Sequence, residues 1–477
     1  MQERKGKVYS LAVTTLLTLS MVLSACGSSN SGNDNSAGSP NNNAANSAEP
    51  TVSADNAAAN DGKSEVPGEK VSLEFWANKF EPTTDAWFKK WTDEFNKTHE
   101  NIQIKLTIVP GDAWAQKLKA AQAAGKAPDI MTMSYGNIAP AAKLGQIQPL
   151  NDLMDPGVFN DLYDNVKDFV SVKGTYYAYP KLVEPSAVLY YRKDLFQAAG
   201  LDPEKPPVTW DELLDYGKKL TQKGIFGLAT AQTAADLGWS SWGLQFNSAG
   251  HLPVTDDWSK ADVDNDGFRA LLNFYKTAYE SGIMPKQALS AYADATPFGQ
   301  GKVAMEISGS WSIGLFRNDF KNMLDKIGVA PMPSIDGDQT KPTATLGGWS
   351  LVVDGKSKHA KEAADYISWL LAGDPQIMID YFKTSQFSKF SPRKSVDEAM
   401  NQDPQASSDP WRKLIAEKVI PYAKAEPIYT YDISLAFATA IESAMKGESV
   451  DKALQKAEKD INDIVAKQNL AGTNPKN

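Results

Sequence analysis

An α/β architecture of two lobes is what this sequence predicts, and three observations carry it. Short apolar or alternating runs take turns with longer runs at helical spacing, the pattern of strands covered by helices. About four hundred residues follow a polar leader, more than a single core accommodates and enough for two lobes. The 477-residue chain has the balance of a globular protein, with 42% apolar, 10% aromatic and 22% charged residues and a net charge of −9. No basic run follows the first residues, which argues against nucleic acid as a partner.

The leader comes first. Arg4, Lys5 and Lys7 precede an apolar run from Leu11 to Leu23, and small residues lead to Cys26. That is a secretory signal peptide over residues 1–25. The apolar run is short for a spanning helix, and nothing later supplies one. Its Leu-Ser-Ala-Cys ending resembles the lipobox of bacterial lipoproteins, which implies cleavage before Cys26 and lipid on its sulfur and new amino group. The plainer alternative is an ordinary signal peptide with an incidental cysteine. Cys26 is the only cysteine, so no intrachain disulfide forms. Residues 26–70 are Asn, Ser, Ala, Gly, Asp and Pro with few large apolar residues, a composition that reads as a disordered tether spanning roughly 35–40 Å.

The folded part then alternates. Val71 to Trp76 reads as a strand. Trp87, Phe88, Trp91 and Phe95 fall at helical spacing within a helix from Thr84 to His99, and belong to the core. Ile102 to Ile108 alternates as a second strand. Trp114 to Ala124 is a helix ending at Gly125, and Pro128 to Met133 is a third strand. This order predicts a parallel sheet, and ligands at such sheets sit beyond the strand ends. Asn78 and the stretch Tyr135 to Asn137 are therefore the residues to watch. Strands at Tyr176 to Tyr179 and Ala187 to Tyr191 flank a connection holding Glu184. Thr209-Trp-Asp-Glu212 is a capping box. Ile225 to Ala229 is a strand, followed by turn tryptophans Trp239 and Trp242. Helices are predicted within Val263 to Glu280 and from Ala288 to Gln300.

Gly301 to Trp311, GKVAMEISGSW, is the stretch around which the rest is arranged. Val303 to Ile307 reads as a buried strand between glycine turns. Trp311, past the Ser308-Gly309-Ser310 turn, either packs into the core or shows a flat apolar face to a cleft, with the glycines permitting close approach. Gly328 to Met332 and Gly348 to Val353 are strands, Ala360 to Leu371 is an amphipathic helix, and the chain from Ser395 onward is mostly helical.

These words in this order resemble the extracellular solute-binding proteins of family 1, the maltose-binding-protein-like sugar receptors of ABC importers. The marks are APDI at Ala127 to Ile130, YYRKDLF at Tyr190 to Phe196, AAGL at Ala198 to Leu201 and PPVTWDEL at Pro206 to Leu213. GKVAMEISGSW, GGWSLVV at Gly347 to Val353, KEAADYISWLL at Lys361 to Leu371 and SPRKS at Ser391 to Ser395 complete the set. The resemblance covers Val71 to the C-terminal helices. It implies a two-lobed periplasmic-binding-protein-like fold with a ligand cleft between lobes. The lobes would be 71–182 with 346–394, and 183–345 with 395–470. Chain crossings near Lys181 to Ala187, Lys341 to Gly348 and Arg393 to Val396 would form the hinge. It further implies a monomeric carrier without cofactor, tethered through Cys26 to the outer face of the cytoplasmic membrane. That carrier would capture a carbohydrate and deliver it to the permease subunits of an ABC importer.

Sugars offer hydroxyl edges and apolar C–H faces, so a receptor needs aromatic plates and charged or amide groups. The aromatic candidates are Tyr135, Trp239, Trp242, Trp311 and Trp349. The polar candidates are Asn78, Asn137, Glu184 and Arg393; a surface position is the alternative for Arg393, and interlobe packing is that for Trp349. The resemblance implies stacking by Trp311, hydroxyl binding by Glu184 near the hinge, an aromatic pair at Trp239 and Trp242, and a polar role for Asn78. Trp114 sits at a helix start that contributes ligand contacts in some members, and groove packing is its alternative. Gly136-Asn137 stands where maltose-binding protein has a charged pair, so maltose itself is not implied. A secreted carbohydrate-active enzyme and a receptor for a membrane sensor are the alternative functions. The enzyme would need two carboxyls across a scissile bond, and no motif marks them. Asp262-Val-Asp264-Asn-Asp266-Gly267 opens like a calcium loop, but its twelfth position is Asn273 rather than Glu, so Asp266 reads as a helix N-cap. His99, His251 and His359 lack metal-ligand spacing.

Overall fold

The structure, a computed structural model, describes residues 70–475. The signal peptide, Cys26 and most of the tether lie outside the described residues. The strands are β1 (Val71–Asn78), β2 (Ile102–Val109), β3 (Ile130–Ser134), β4 (Ser171–Val172), β5 (Thr175–Tyr176) and β6 (Tyr179–Pro185). After them come β7 (Val188–Arg192), β8 (Phe226–Ala229), β9 (Val303–Ser308), β10 (Ile327–Pro331), β11 (Thr345–Val353) and β12 (Lys424–Ala425). They form two main sheets. The first has the order β12-β11-β3-β1-β2 with β6 added to β11, and the second has the order β10-β7-β9-β8.

In the first sheet β1 runs parallel to β2 and β3, as the strand–helix alternation predicts. The sheet is nonetheless mixed, because β11 arrives antiparallel to both β3 and β6. The inward residues of β1, Leu73, Phe75 and Ala77, are fully buried. Phe75 meets Phe88 of the helix Pro82–Thr98 edge to face at 5.3 Å. Trp87 is buried in the same layer, while Trp91 is half-exposed and donates from Nε1 to Asp380 at 2.8 Å. In the second sheet every residue of β9 is buried, since it lies between β7 and β8 with helices over it. Gly301 (φ 77°) makes the turn that enters it.

Several expectations need correction. The connection holding Glu184 is itself a strand: β5 stops at Tyr176, and β6 runs on to Pro185. The reason is that β11 supplies backbone partners from Pro185 to Tyr179 on one side, and Phe390 bridges Val183 on the other. Ala288 to Gln300 is irregular except for the single turn Thr296–Gly299, which holds Pro297 in its first positions, where a missing N–H costs nothing. The N-cap of the helix Asp266–Glu280 is Asn265, whose side chain accepts from Phe268 N–H. The acidic residues around it are met by Arg269, which pairs with Asp264 and lies 3.1 Å from Asp451. Trp239 and Trp242 stand on helices, Ala234–Ser240 and Trp242–Ala249, because Thr233 caps the first. The Thr209 capping box forms as read.

Of the expected chain crossings, the first two fall in their stretches and the third differs. The polypeptide leaves the first sheet after Pro185 and returns at Thr345. The third expected crossing comes later than Arg393, since the helix Lys394–Gln402 still packs on the first-lobe helix Pro375–Thr384. The chain packs against the second sheet with the helix Pro410–Lys418, which lies on β10 and is entered at Asp409, 2.5 Å from Arg317. It then returns once more to lay β12 beside β11 before the helix Tyr431–Met445 packs in the second lobe.

Candidate functional site

A cleft of about 1020 Å³ lies between the lobes, at the carboxyl ends of β1, β3 and β9. Its lining includes Phe80 after β1, Asn137 after β3, Trp311 after β9, and Trp239, Trp242 and Trp349. Open sheets with crossover helices leave their ligand space at such strand ends.

The second lobe contributes an aromatic platform. Trp239 and Trp311 have ring centroids 5.9 Å apart, and Tyr292 meets them edge-on at 5.1 and 6.2 Å. Trp311 Nε1 donates to Ala293 O at 3.1 Å, which leaves the ring half-exposed but fixed. Gly309 is what permits this pose: a Cβ there would overlap the Trp311 ring. The group that comes close to the glycine turn is therefore the tryptophan itself. Tyr292 in turn donates to Ser186 O, at the end of β6, so the platform is tied to a chain crossing. Trp242 donates from Nε1 to Ser434 Oγ at 2.9 Å. From the first lobe, Trp349 faces Phe80 edge-on at 4.6 Å.

Charge collects at the cleft base. Lys389 is buried; its ammonium donates to Glu81 at 2.8 Å and lies 3.5 Å from Glu184. Burial alone would pull Lys389 down, but Glu81 and Glu184 outweigh it and hold its pKa above the ordinary value. Glu81 is likewise opposed by burial yet held low by Lys389. Glu184 is pushed up, burial outweighing Lys389. Lys181 lies behind the lining with its ammonium over Phe80, Phe88 and Tyr381 at 4.7 to 5.0 Å. Burial first, then the Lys389 charge, lower it to about 7. Glu426 follows β12, and burial first, then the Glu184 charge, raise it to about 7. Among the described residues no cluster has the makings of a metal site.

The structure brings six of the expected residues together in the cleft: Asn137, Glu184, Trp239, Trp242, Trp311 and Trp349. Four stand elsewhere. Asn78 is buried at the end of β1, its N–H donating to Thr132 Oγ1, with Lys79 and Phe80 reaching the cleft instead. Tyr135 is buried, its hydroxyl donating to Leu182 O at 2.6 Å. Trp114 packs half-buried on the core from the helix Gly111–Ala123. Arg393 is buried in a clamp with Asp161 (2.7 Å), Leu371 O (2.8 Å) and Gly373 O (3.1 Å), which spends its guanidinium on structure. Lys389 and Glu426 were not singled out from sequence. Glu426 carries a weak signal, a carboxylate before proline in the aromatic stretch Glu-Pro-Ile-Tyr-Thr-Tyr431; Lys389 carries none.

Residues 81–377 match the family model described as bacterial extracellular solute-binding protein. The sn-glycerol-3-phosphate-binding periplasmic protein UgpB of Pectobacterium atrosepticum is 32% identical over 326 residues, 62% of this chain and 67% of that protein. A mannitol-binding protein of Pseudomonas aeruginosa is 28% identical over 58% of this chain and 63% of its own length, so this chain spans less than two thirds of that relative. An ABC transporter solute-binding protein of Thermotoga lettingae, solved with α-D-tagatose, superposes with a TM-score of 0.71 at 25% identity, covering 83% of this chain and 100% of the other.

Proposed function

This chain belongs to the bacterial extracellular solute-binding protein family and has its two-lobed fold, and from that premise we propose that it captures a carbohydrate and hands it to the permease of an ABC importer. The size of the cleft favours an oligosaccharide. The proposal includes an anchor, lipid on Cys26, that holds the protein at the outer face of the cytoplasmic membrane; an unmodified Cys26 in the mature protein, read by mass spectrometry, would remove it. The family binds solutes rather than converting them, which sets the secreted enzyme aside. Among the described residues no helix is long and apolar enough to cross a membrane.

The observation that carries the reading is the pairing of Trp239 and Trp311 on one side of the cleft with Glu81, Glu184 and Lys389 at its base. Indole faces cover the C–H faces of a pyranose, and charged groups take its hydroxyls. Contacts from both lobes would favour the closed form by their differential affinity.

A thermal-shift screen of the soluble domain against mono- and oligosaccharides tests this. Ligand at a hundredfold over its dissociation constant stabilises by roughly 2.7 kcal/mol. Trp311→Ala is expected to weaken the same ligand on the order of tenfold or more, with the sugar recovered unchanged. Absence of any shift across the panel would overturn the carbohydrate reading.

A further inference from the structure

Resting on the carbohydrate reading, the charge of the cleft decides which carbohydrates it can take. Five carboxylates line it, Glu81, Glu184, Asp294, Asp319 and Glu426, against two lysines, Lys79 and Lys389. The buried one of the two, Lys389, already shares its ammonium between Glu81 and Glu184. Lys181 is outside the lining, sealed behind aromatic rings.

Two of the carboxylates converge on one glycine. Glu184 of β6 is the cross-strand partner of Gly347 of β11. The Glu426 carboxylate fills the space where a Gly347 side chain would stand, so a Cβ at that position would fall on it. Gly136 N–H donates to Glu426, while Glu184 Oε2, itself buried, has only the shared Lys389 ammonium beside it, at 3.5 Å. Glu184 stands in β6 and Glu426 just past β12, two strands that both pair with β11, and both glutamates line the cleft. A sugar hydroxyl or an ammonium can donate to these oxygens. Once these carboxyls are ionised, a phosphate or a second carboxylate brings only acceptors and like charge, and like-charge juxtaposition in a partly desolvated site is strongly unfavourable.

We propose that Glu426, acting with Glu184, is the selectivity element of the cleft: it admits uncharged and amine-bearing saccharides and excludes phosphorylated and uronic ones. The ligand named for the Pectobacterium relative, sn-glycerol 3-phosphate, then falls outside the range of this chain.

The test compares matched probes on the mature protein by thermal shift and calorimetry at pH 8, where Glu426 is ionised. One set is maltotriose, chitosan trisaccharide and galacturonic acid trisaccharide. A second is mannitol and mannitol 1-phosphate, with sn-glycerol 3-phosphate alongside. Wild-type protein is expected to bind an uncharged or amine-bearing member at least about a hundredfold more tightly than its anionic counterpart. Glu426→Gln is expected to narrow that gap about tenfold, and Glu184→Gln to narrow it in the same direction. An anionic probe bound as tightly as its uncharged partner by the wild type would overturn the inference while leaving the carbohydrate reading intact. A gap unchanged in both variants would overturn the assignment to these residues. Failure of every saccharide and polyol to bind would overturn the carbohydrate reading and this inference with it.

Discussion

Glu426 shows where a residue's chemistry escapes the sequence. Its neighbours in the chain are Ala425 and Pro427, but what sets its behaviour is Glu184 and the bare backbone of Gly347, both distant in sequence. Trp311 is legible through its company, because a ring after a glycine turn suits a core as well as a cleft until the neighbouring words of the sequence are read with it. Lys389 gave no such sign, since its role comes entirely from two glutamates brought to it by folding. The elevated pKa of Glu426 makes a prediction at this scale. Burial, then the Glu184 charge, raise it from 4.5 to about 7. A carboxyl raised on folding contributes stability that is complete below the unfolded value near 4.5 and is lost as pH rises through about 7. Glutamine resembles the protonated form at every pH. The stability of Glu426→Gln relative to wild type is therefore expected to be near zero at pH 4 and favourable by about 3 kcal/mol at pH 8. Chemical denaturation across that range reads it, and a flat difference would contradict the buried environment assigned to this carboxyl.

At the scale of elements, the strands whose partners share their local pattern were legible. β1, β2 and β3 alternate or run apolar, and they fall where the residues place them. β6 was not, because Lys181, Glu184 and two prolines disguise it; only the arrival of β11 gives its backbone a partner. The helices bearing Trp239 and Trp242 were hidden for a similar reason. They are short, Gly238 and Gly243 interrupt their pattern, and tertiary packing makes them worthwhile: Gly243 lies so close to Ala344 that a side chain there would collide with backbone. Arg393 is ambiguous by residue type, because a guanidinium offers the same donors to a sugar and to carbonyl ends of helices. The SPRKS stretch that holds it is a clamp between Asp161 and the end of the helical segment Ser368–Ala372.

For the whole molecule, two sheets, a cleft at the strand ends and repeated crossings of the chain make lobe closure the motion the architecture permits. Tyr292 binds the platform to Ser186 at one crossing, and β12 brings the C-terminal segment back to the first sheet at another. Small-angle scattering with and without a saturating ligand is expected to show a smaller radius of gyration in the bound form; identical profiles would rule out closure as the response to binding. The same topology has a consequence for how the chain comes to be folded at all. β11 is the inner strand on which β3, β6 and β12 all depend, and its Ser350 bonds to Met133 across 217 residues of sequence. Such contact order slows folding, because the entropy of closing a long loop is spent before the pairing rewards it. The first lobe cannot finish its sheet while the chain ends short of Val353. The first lobe therefore keeps an incomplete sheet until most of the chain has been made, and an unfinished lobe is one that can still be threaded across a membrane.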